Sequence, residues 1–315
     1  MFQYQLYLGG GLVGFFLFLA IAAPFLAPPP PDMEFSPYKD VVNARGFQPH
    51  PPGTDTLLGT VYNSSNGFQL DIWYSLVWGA RSAMIFGVAV VGITATIGVL
   101  FGAVSAMIGG VTDIIGMGFT DAFLAFPIIA GVVFFHQFLL ALLRSSGDVL
   151  VYANNLVFFT HEATPFQNFL MNTDPIGPAF VLFSWMPYAR VINSVVVRIR
   201  KELYVQAAKA LGASSLRQIT RHIIPNSISP ALALGARDIG YFVLLQVGFA
   251  FIGLTDRSVW GVLLSAGRNW IIGPNTSPLA YWWVFIPTTL AIILFGIGWN
   301  LLGDVFNDWF SQRTR

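Results

Sequence analysis

Cysteine is absent from this chain. That excludes disulfides, thiolate metal sites and a cysteine nucleophile. It does not assign a redox compartment, because a membrane protein can lack cysteine on either side. Charge is also scarce: Asp, Glu, Lys and Arg together make up 10% of 315 residues, against about 25% in an ordinary soluble domain. Lysine occurs only at Lys39, Lys201 and Lys209, preceded by Tyr38, Arg200 and Ala208. A P-loop needs Gly-Lys-[Ser/Thr], so that backbone amides and the lysine hold the phosphates. With no Gly-Lys pair, any ATP that drives this protein is bound by another chain. The G-x-S-x-G and H-E-x-x-H patterns of common hydrolases are missing as well. An enzyme reading fares badly.

What the chain has is apolar length. Hydrophobic residues make up 55% of it, 29 of them Phe, and the mean hydropathy is +0.65. A bilayer core takes about 20 apolar residues in a helix, and backbone polar groups in lipid must be satisfied internally. Six stretches qualify as transmembrane helices: about 6–27, 82–108, 114–143, 177–197, 230–254 and 281–302. The expected class is an all-α membrane protein. Its parts are an N-terminal helix within 1–27, an outer loop over 28–80 and a core over 81–315. The first stretch has no Lys or Arg before it, so it reads as a retained helix rather than a signal peptide.

Basic residues set the orientation. Six of the 16 fall between Arg198 and Arg221, and the C-terminus adds Arg313 and Arg315. The segment 198–225 and both termini are therefore expected on the cytoplasmic side. The loops 28–80, 144–176 and 255–280 then face outward.

The basic segment has a pattern of its own. Glu202 to Leu211 is rich in good helix formers. Tyr204, Ala207, Ala208 and Leu211 share one face. Gly212 stands at the C-cap position, Ser214 or Ser215 can cap a second short helix, and Pro225 is expected to stop it. A helix with small residues on its face suits docking into a partner's cleft. The same helix also suits a cytoplasmic surface of anionic lipid, and the residues alone leave the two readings level.

Ionisable groups inside spans are costly and mark functional candidates. Asp121 and Arg190 are the candidates for a translocation path, weighed against a purely structural helix–helix pair. Arg237 and Asp238 are adjacent, face different ways and read as organising the bundle. His136 stands alone, with no second ligand at i+3 or i+4, and is not read as a metal site. Gly98 and Gly102 form a G-x-x-x-G that allows close helix packing. Pro127, Pro187 and Pro287 are candidate kinks.

Several motifs carry a resemblance in register along nearly the whole chain. They are His50-Pro-Pro-Gly-Thr-Asp55, Gly79-Ala-Arg81-Ser82, Asp121-Ala-Phe-Leu-Ala-Phe-Pro127 and Trp185-Met-Pro-Tyr-Ala-Arg190. They continue with Ala207-Ala208, Gly212, Ile224-Pro225, Gly248-Phe-Ala-Phe-Ile-Gly253, Trp260-Gly-Val-Leu-Leu-Ser265 and Asn300-Leu-Leu-Gly-Asp304. Together they resemble the C-type permease subunit of the oligopeptide/dipeptide and nickel branch of type I ABC importers. The resemblance implies a six-helix permease fold with a coupling helix between helices 4 and 5. Gln206, Ala207, Ala208, Gly212 and Pro225 are then the ATPase-coupling residues. It implies a homologous B-type permease, two ATPase subunits and an extracytoplasmic substrate-binding protein as partners. The protein would sit in a prokaryotic inner or plasma membrane. ATP and Mg would be bound by the partner subunits, with no cofactor or metal in this chain and no nucleic acid.

The chain departs from the family pattern in places. Gln206 and Gln246 stand where the family often has Glu, so a charged ATPase contact at position 206 is not expected. Leu70 replaces a usual Arg, and Asn63-Ser-Ser-Asn-Gly67 looks inserted. The branch implies peptide transport, with oligosaccharide or nickel import as alternatives. An ion-coupled secondary transporter, with Asp121 as its coupling site, is the reading from a different class.

Overall fold

The computed structural model describes residues 2–31, 36–41, 46–64, 67–145, 149–151, 157–159, 164–165, 176–255, 257–272 and 279–313. Among them five stretches are long and apolar enough to cross a membrane, and a sixth is a bent pair of helices. The first two spans are α1 (Phe2–Leu26) and α2 (Ile72–Ile108). The third is split into α3 (Gly110–Leu124) and α4 (Ile128–Ser145). The fourth joins α5 (Ile176–Ser184) to α6 (Met186–Ile199). The basic loop holds α7 (Leu203–Ala210), α8 (Ser215–Gln218), a π-helical turn over Ile219–Ile223 and α9 (Ile224–Ser227). The last elements are α10 (Ser229–Phe251), α11 (Val259–Ile272) and α12 (Trp282–Arg313).

Three expectations change. The stretch expected as one helix over 114–143 is broken at Ala125-Phe126-Pro127, and its halves meet at 86°. Pro127 has no amide hydrogen and pushes the residue before it out of helical geometry. The outer loop ends at Asp71 rather than at 80. Asp71 caps α2 by accepting from the Tyr74 amide at 3.2 Å. Burial of Asp71 pushes its carboxyl above the usual range, an effect the Tyr74 amide partly opposes. Trp73, Ser75, Trp78 and Arg81 hid this first helical stretch from a hydropathy reading. The segment 255–280 is not only loop, because α11 lies within it.

Two small antiparallel strand pairs lie in the connections between spans. Strands β1 (Thr60–Asn63) and β2 (Phe68–Asp71) pair with Asn63 opposite Phe68. The inserted Asn63–Gly67 stretch thus begins at the end of β1, and Gly67, just before β2, takes a φ of 77°. Val61 and Leu70 are buried against Leu263, Trp283 and Val284. Strands β3 (Val149–Val151) and β4 (Val157–Phe159) form the second pair. Most of the rest of 144–176 lies outside the described residues.

The main core gathers α1, α2, α5, α10, α11 and α12 around large aromatic side chains. Phe16, Trp260 and Phe295 meet edge to face, with ring centres 5.3–5.9 Å apart. Trp260 also donates from Nε1 to the Leu76 carbonyl at 3.1 Å. A side chain at Gly79 would run into that indole ring. Thus Gly79 and Trp260, which stand in separate sequence motifs, are two halves of one contact.

Candidate functional site

The basic loop between α6 and α10 is built from local capping. Glu202 starts α7 in extended geometry, and α7 ends at Leu211. Gly212 takes a φ of 84°. Its amide donates to Lys209 O at 3.0 Å, and the Ala213 amide donates to Ala208 O at 3.0 Å. Those two bonds make a Schellman motif, which favours glycine at the left-handed position. Ser214 caps α8 through the Arg217 amide. Val205 and Ile223 are buried, whereas Leu203, Leu211 and Leu216 are 84%, 89% and 71% exposed. Tyr204 and Ala207 are exposed on the same helix. Clustered exposed leucines are unusual for a surface that stays bare.

The loop also departs from expectation at Pro225. It does not stop the second helix, because the π turn at Ile219–Ile223 precedes it and the helical path continues to Ser227. A proline lacks the amide that would bond the carbonyl four residues back and crowds that carbonyl. The wider turn relieves this conflict and keeps Ile223 pointing into the bundle. Ile223 is wholly buried there among Val99, Ala103, Ala106, Tyr188, Ile192 and Val196. Gln206 is exposed and donates to Lys201 O at 2.9 Å, within the loop itself.

Asp121 and Arg190 come together. Arg190 Nη2 lies 2.5 Å from Asp121 Oδ1, and the two side chains are 48% and 44% exposed. Asp121 stands in the last turn of α3, just ahead of the break. A carboxylate there faces the negative end of the helix dipole, which a paired guanidinium offsets. Arg190 sits roughly 14 Å along the axis from the end of α6 at Ile199 and is held by its partner on α3. Aromatic rings surround the pair's helices: Trp185 packs on Phe101 and Phe119, and Phe183 packs on Phe123 and Phe126.

Arg237 and Asp238 do face different ways. Arg237 pairs with Asp304 of α12 at 2.5 Å. Asp238 accepts from the Tyr188 hydroxyl at 2.5 Å, tying α10 to α6. His136 is buried on α4, and among the described residues no group of three or more His, Asp or Glu is placed to hold a metal ion.

A second polar group escapes a sequence reading. Asp113 Oδ1 accepts from Ser105 Oγ at 2.9 Å and from Asn193 Nδ2 at 2.6 Å. Arg200 Nη1 donates to Ala106 O at 2.5 Å. Asn193 is a single amide in an apolar helix, and Arg200 registers only as one more basic charge. Their spacing in sequence, 80 and 94 residues from their partners, leaves no local signal.

A family model described as the binding-protein-dependent transport system inner membrane component matches residues 98–315. This chain is similar to a probable D,D-dipeptide transport system permease protein of Escherichia coli strain K12. The identity is 29% over 247 residues, which is 78% of this chain and 70% of that protein. It is also similar to a dipeptide transport system permease protein of Alkalihalophilus pseudofirmus, 26% identical over 303 residues, 95% of this chain and 83% of the relative. A nickel transport system permease protein of Escherichia coli strain K12 is 27% identical over 241 residues, 76% of this chain and 74% of the relative.

Proposed function

We propose, from the premise that this chain belongs to the family of binding-protein-dependent transport system inner membrane components, that it is a peptide importer's permease subunit coupled to ATPases through its basic loop. The chain crosses the membrane several times and forms part of a multi-subunit ABC importer. Peptide is the substrate class because relatives are named dipeptide, peptide and oligopeptide permeases. The nickel permease relative makes nickel the second reading. Uptake of labelled peptide competing, or failing to compete, with nickel separates the two.

In this reading a homologous permease completes the path, two ATPase subunits bind ATP and Mg, and an extracytoplasmic binding protein delivers substrate. Both termini and the loop 198–225 face the cytoplasm. Gln206, Ala207, Ala208, Gly212 and Pro225 shape the ATPase contact, with Ala207 and Gly212 central. Asp121 and Arg190 line the path and change partners as it opens.

One observation carries the coupling assignment: apolar Leu203, Leu211 and Leu216 are exposed on a loop shaped by its own caps. A lipid-resting helix would orient its leucines the same way, so the decisive test is functional. Gly212→Val has open space for its side chain but forces an L-residue into left-handed geometry, at about 1–2 kcal/mol. The expected outcome is an assembled importer that still hydrolyses ATP while uptake falls about tenfold. Normal uptake by that variant sinks the assignment.

A further inference from the structure

The loop's motion needs a route to α3, which carries Asp121, and α3 does not belong to the loop's buried anchor. That anchor is Ile223 set between α2 and α6. Gly98 and Gly102 let α2 meet the backbone of α6 at Trp185 and Ala189, so these two helices pack as one body. The connection from α2 into α3 is the opposite kind of joint. Gly109 has φ 70° and ψ −168°, and Gly110 has φ 62°. An extended ψ with positive φ is a conformation essentially confined to glycine. Two such residues in a row make a joint with low intrinsic resistance to turning.

Across that joint lies the polar group of Ser105, Asp113, Asn193 and Arg200. Asp113 stands in the first turn of α3 and accepts from both α2 and α6. Arg200 stands at the C-cap of α6, next to the start of the loop, and holds a carbonyl in the last turn of α2. A side chain at Gly109 would press on the Arg200 guanidinium. Ser105 and Asn193 are 6% and 8% exposed. Few waters then compete for these bonds, and a hydrogen bond to an ionised acceptor is about twice as strong as a neutral one.

We propose that Asn193, Asp113 and Ser105 form a clasp, closed beside Arg200, that carries displacement of the coupling loop into α3 and so to the Asp121–Arg190 pair. The inference rests on the loop being the ATPase contact. The clasp residues are positioning residues: they touch neither nucleotide nor substrate. Without the clasp, the Gly109–Gly110 joint lets α3 lag behind the α2–α6 body, and ATP hydrolysis proceeds without moving the ion pair.

The test uses the complete importer, with both permeases, the ATPases and the binding protein, in proteoliposomes. The readout is labelled peptide taken up per ATP hydrolysed. Asn193→Asp sets a second carboxylate against Asp113 and is expected to lower that ratio about tenfold with assembly retained. The exchange Asp113→Asn with Asn193→Asp restores one carboxylate facing one amide and is expected to recover most of it. Where Asn193→Asp fails to assemble, Ser105→Ala is read on the same ratio and is expected to lower it by about threefold. An unchanged ratio overturns the clasp. So does a loss that follows the amount of assembled complex and is not recovered by the exchange. Gly212→Val separates the two levels: if it uncouples and the clasp variants do not, only the clasp fails. If Gly212→Val leaves the ratio unchanged, the loop reading fails first.

Discussion

Pro24 has no amide hydrogen, so the Ala20 carbonyl one turn earlier loses its partner within α1. Arg81 of α2 donates to that carbonyl at 3.1 Å. Trp78, one turn earlier on α2, donates to Ala27 O at 2.9 Å, and Arg81 lies over its ring at 5.7 Å. The small residues Ala20, Ala23 and Ala27 are buried and let the helices come this close. A hydrogen bond involving a charged donor contributes about 1.5–3 kcal/mol. Arg81→Ala is therefore expected to cost about 2 kcal/mol of stability, read by denaturant unfolding of the purified protein. In a Pro24→Ala background the carbonyl regains its own helical partner, and the same substitution is expected to cost less than half as much. Equal costs in both backgrounds contradict the assignment. Arg81 is legible in the sequence as a motif residue, but nothing in one dimension joins it to Pro24.

At the scale of elements, Gly98 and Gly102 set how close α2 and α6 run. A side chain at Gly102 would enter the backbone of Ala189, which cannot yield as a flexible side chain would. Gly102→Leu is expected to lower the midpoint of thermal unfolding and the yield of assembled importer, since overpacking a close contact costs about 1–3 kcal/mol or more. Gly92 on the same helix has open space, and Gly92→Leu is expected to leave both nearly unchanged. The G-x-x-x-G spacing was legible in the sequence, but its partner helix was not. The same division runs through the fold. Hydropathy finds the spans because lipid imposes one length on them. The caps of α7 and α8 are legible because glycine and serine act on their own neighbours. The break at Pro127 was legible as a candidate kink, though not its 86° angle. The π turn before Pro225 was not legible, since it answers the tertiary need to bury Ile223. The start of α2 at Ile72 was hidden by polar and tryptophan residues, and the clasp by long sequence separation.

For the whole molecule, the charge pattern and the structure describe one asymmetry. The connections after α1, after α4 and after α10 carry Pro-rich segments, two short strand pairs and α11, with Val61 and Leu70 packed against Leu263 and Trp283. The connection between α6 and α10 carries the basic loop with its exposed leucines. A chain with no Gly-Lys pair relies on a partner for ATP in the proposed function, which makes this loop the proposed contact. The absence of cysteine makes the claim directly testable. One cysteine placed at Ala207 is unique in this chain, and a short thiol-to-amine cross-linker can be attached there in membranes that contain the assembled importer. An adduct with the mass of this chain plus an ATPase subunit, with a yield that changes when ATP is trapped, is the predicted result. Adducts to lipid amines alone, from a complex shown to be intact, would contradict the account.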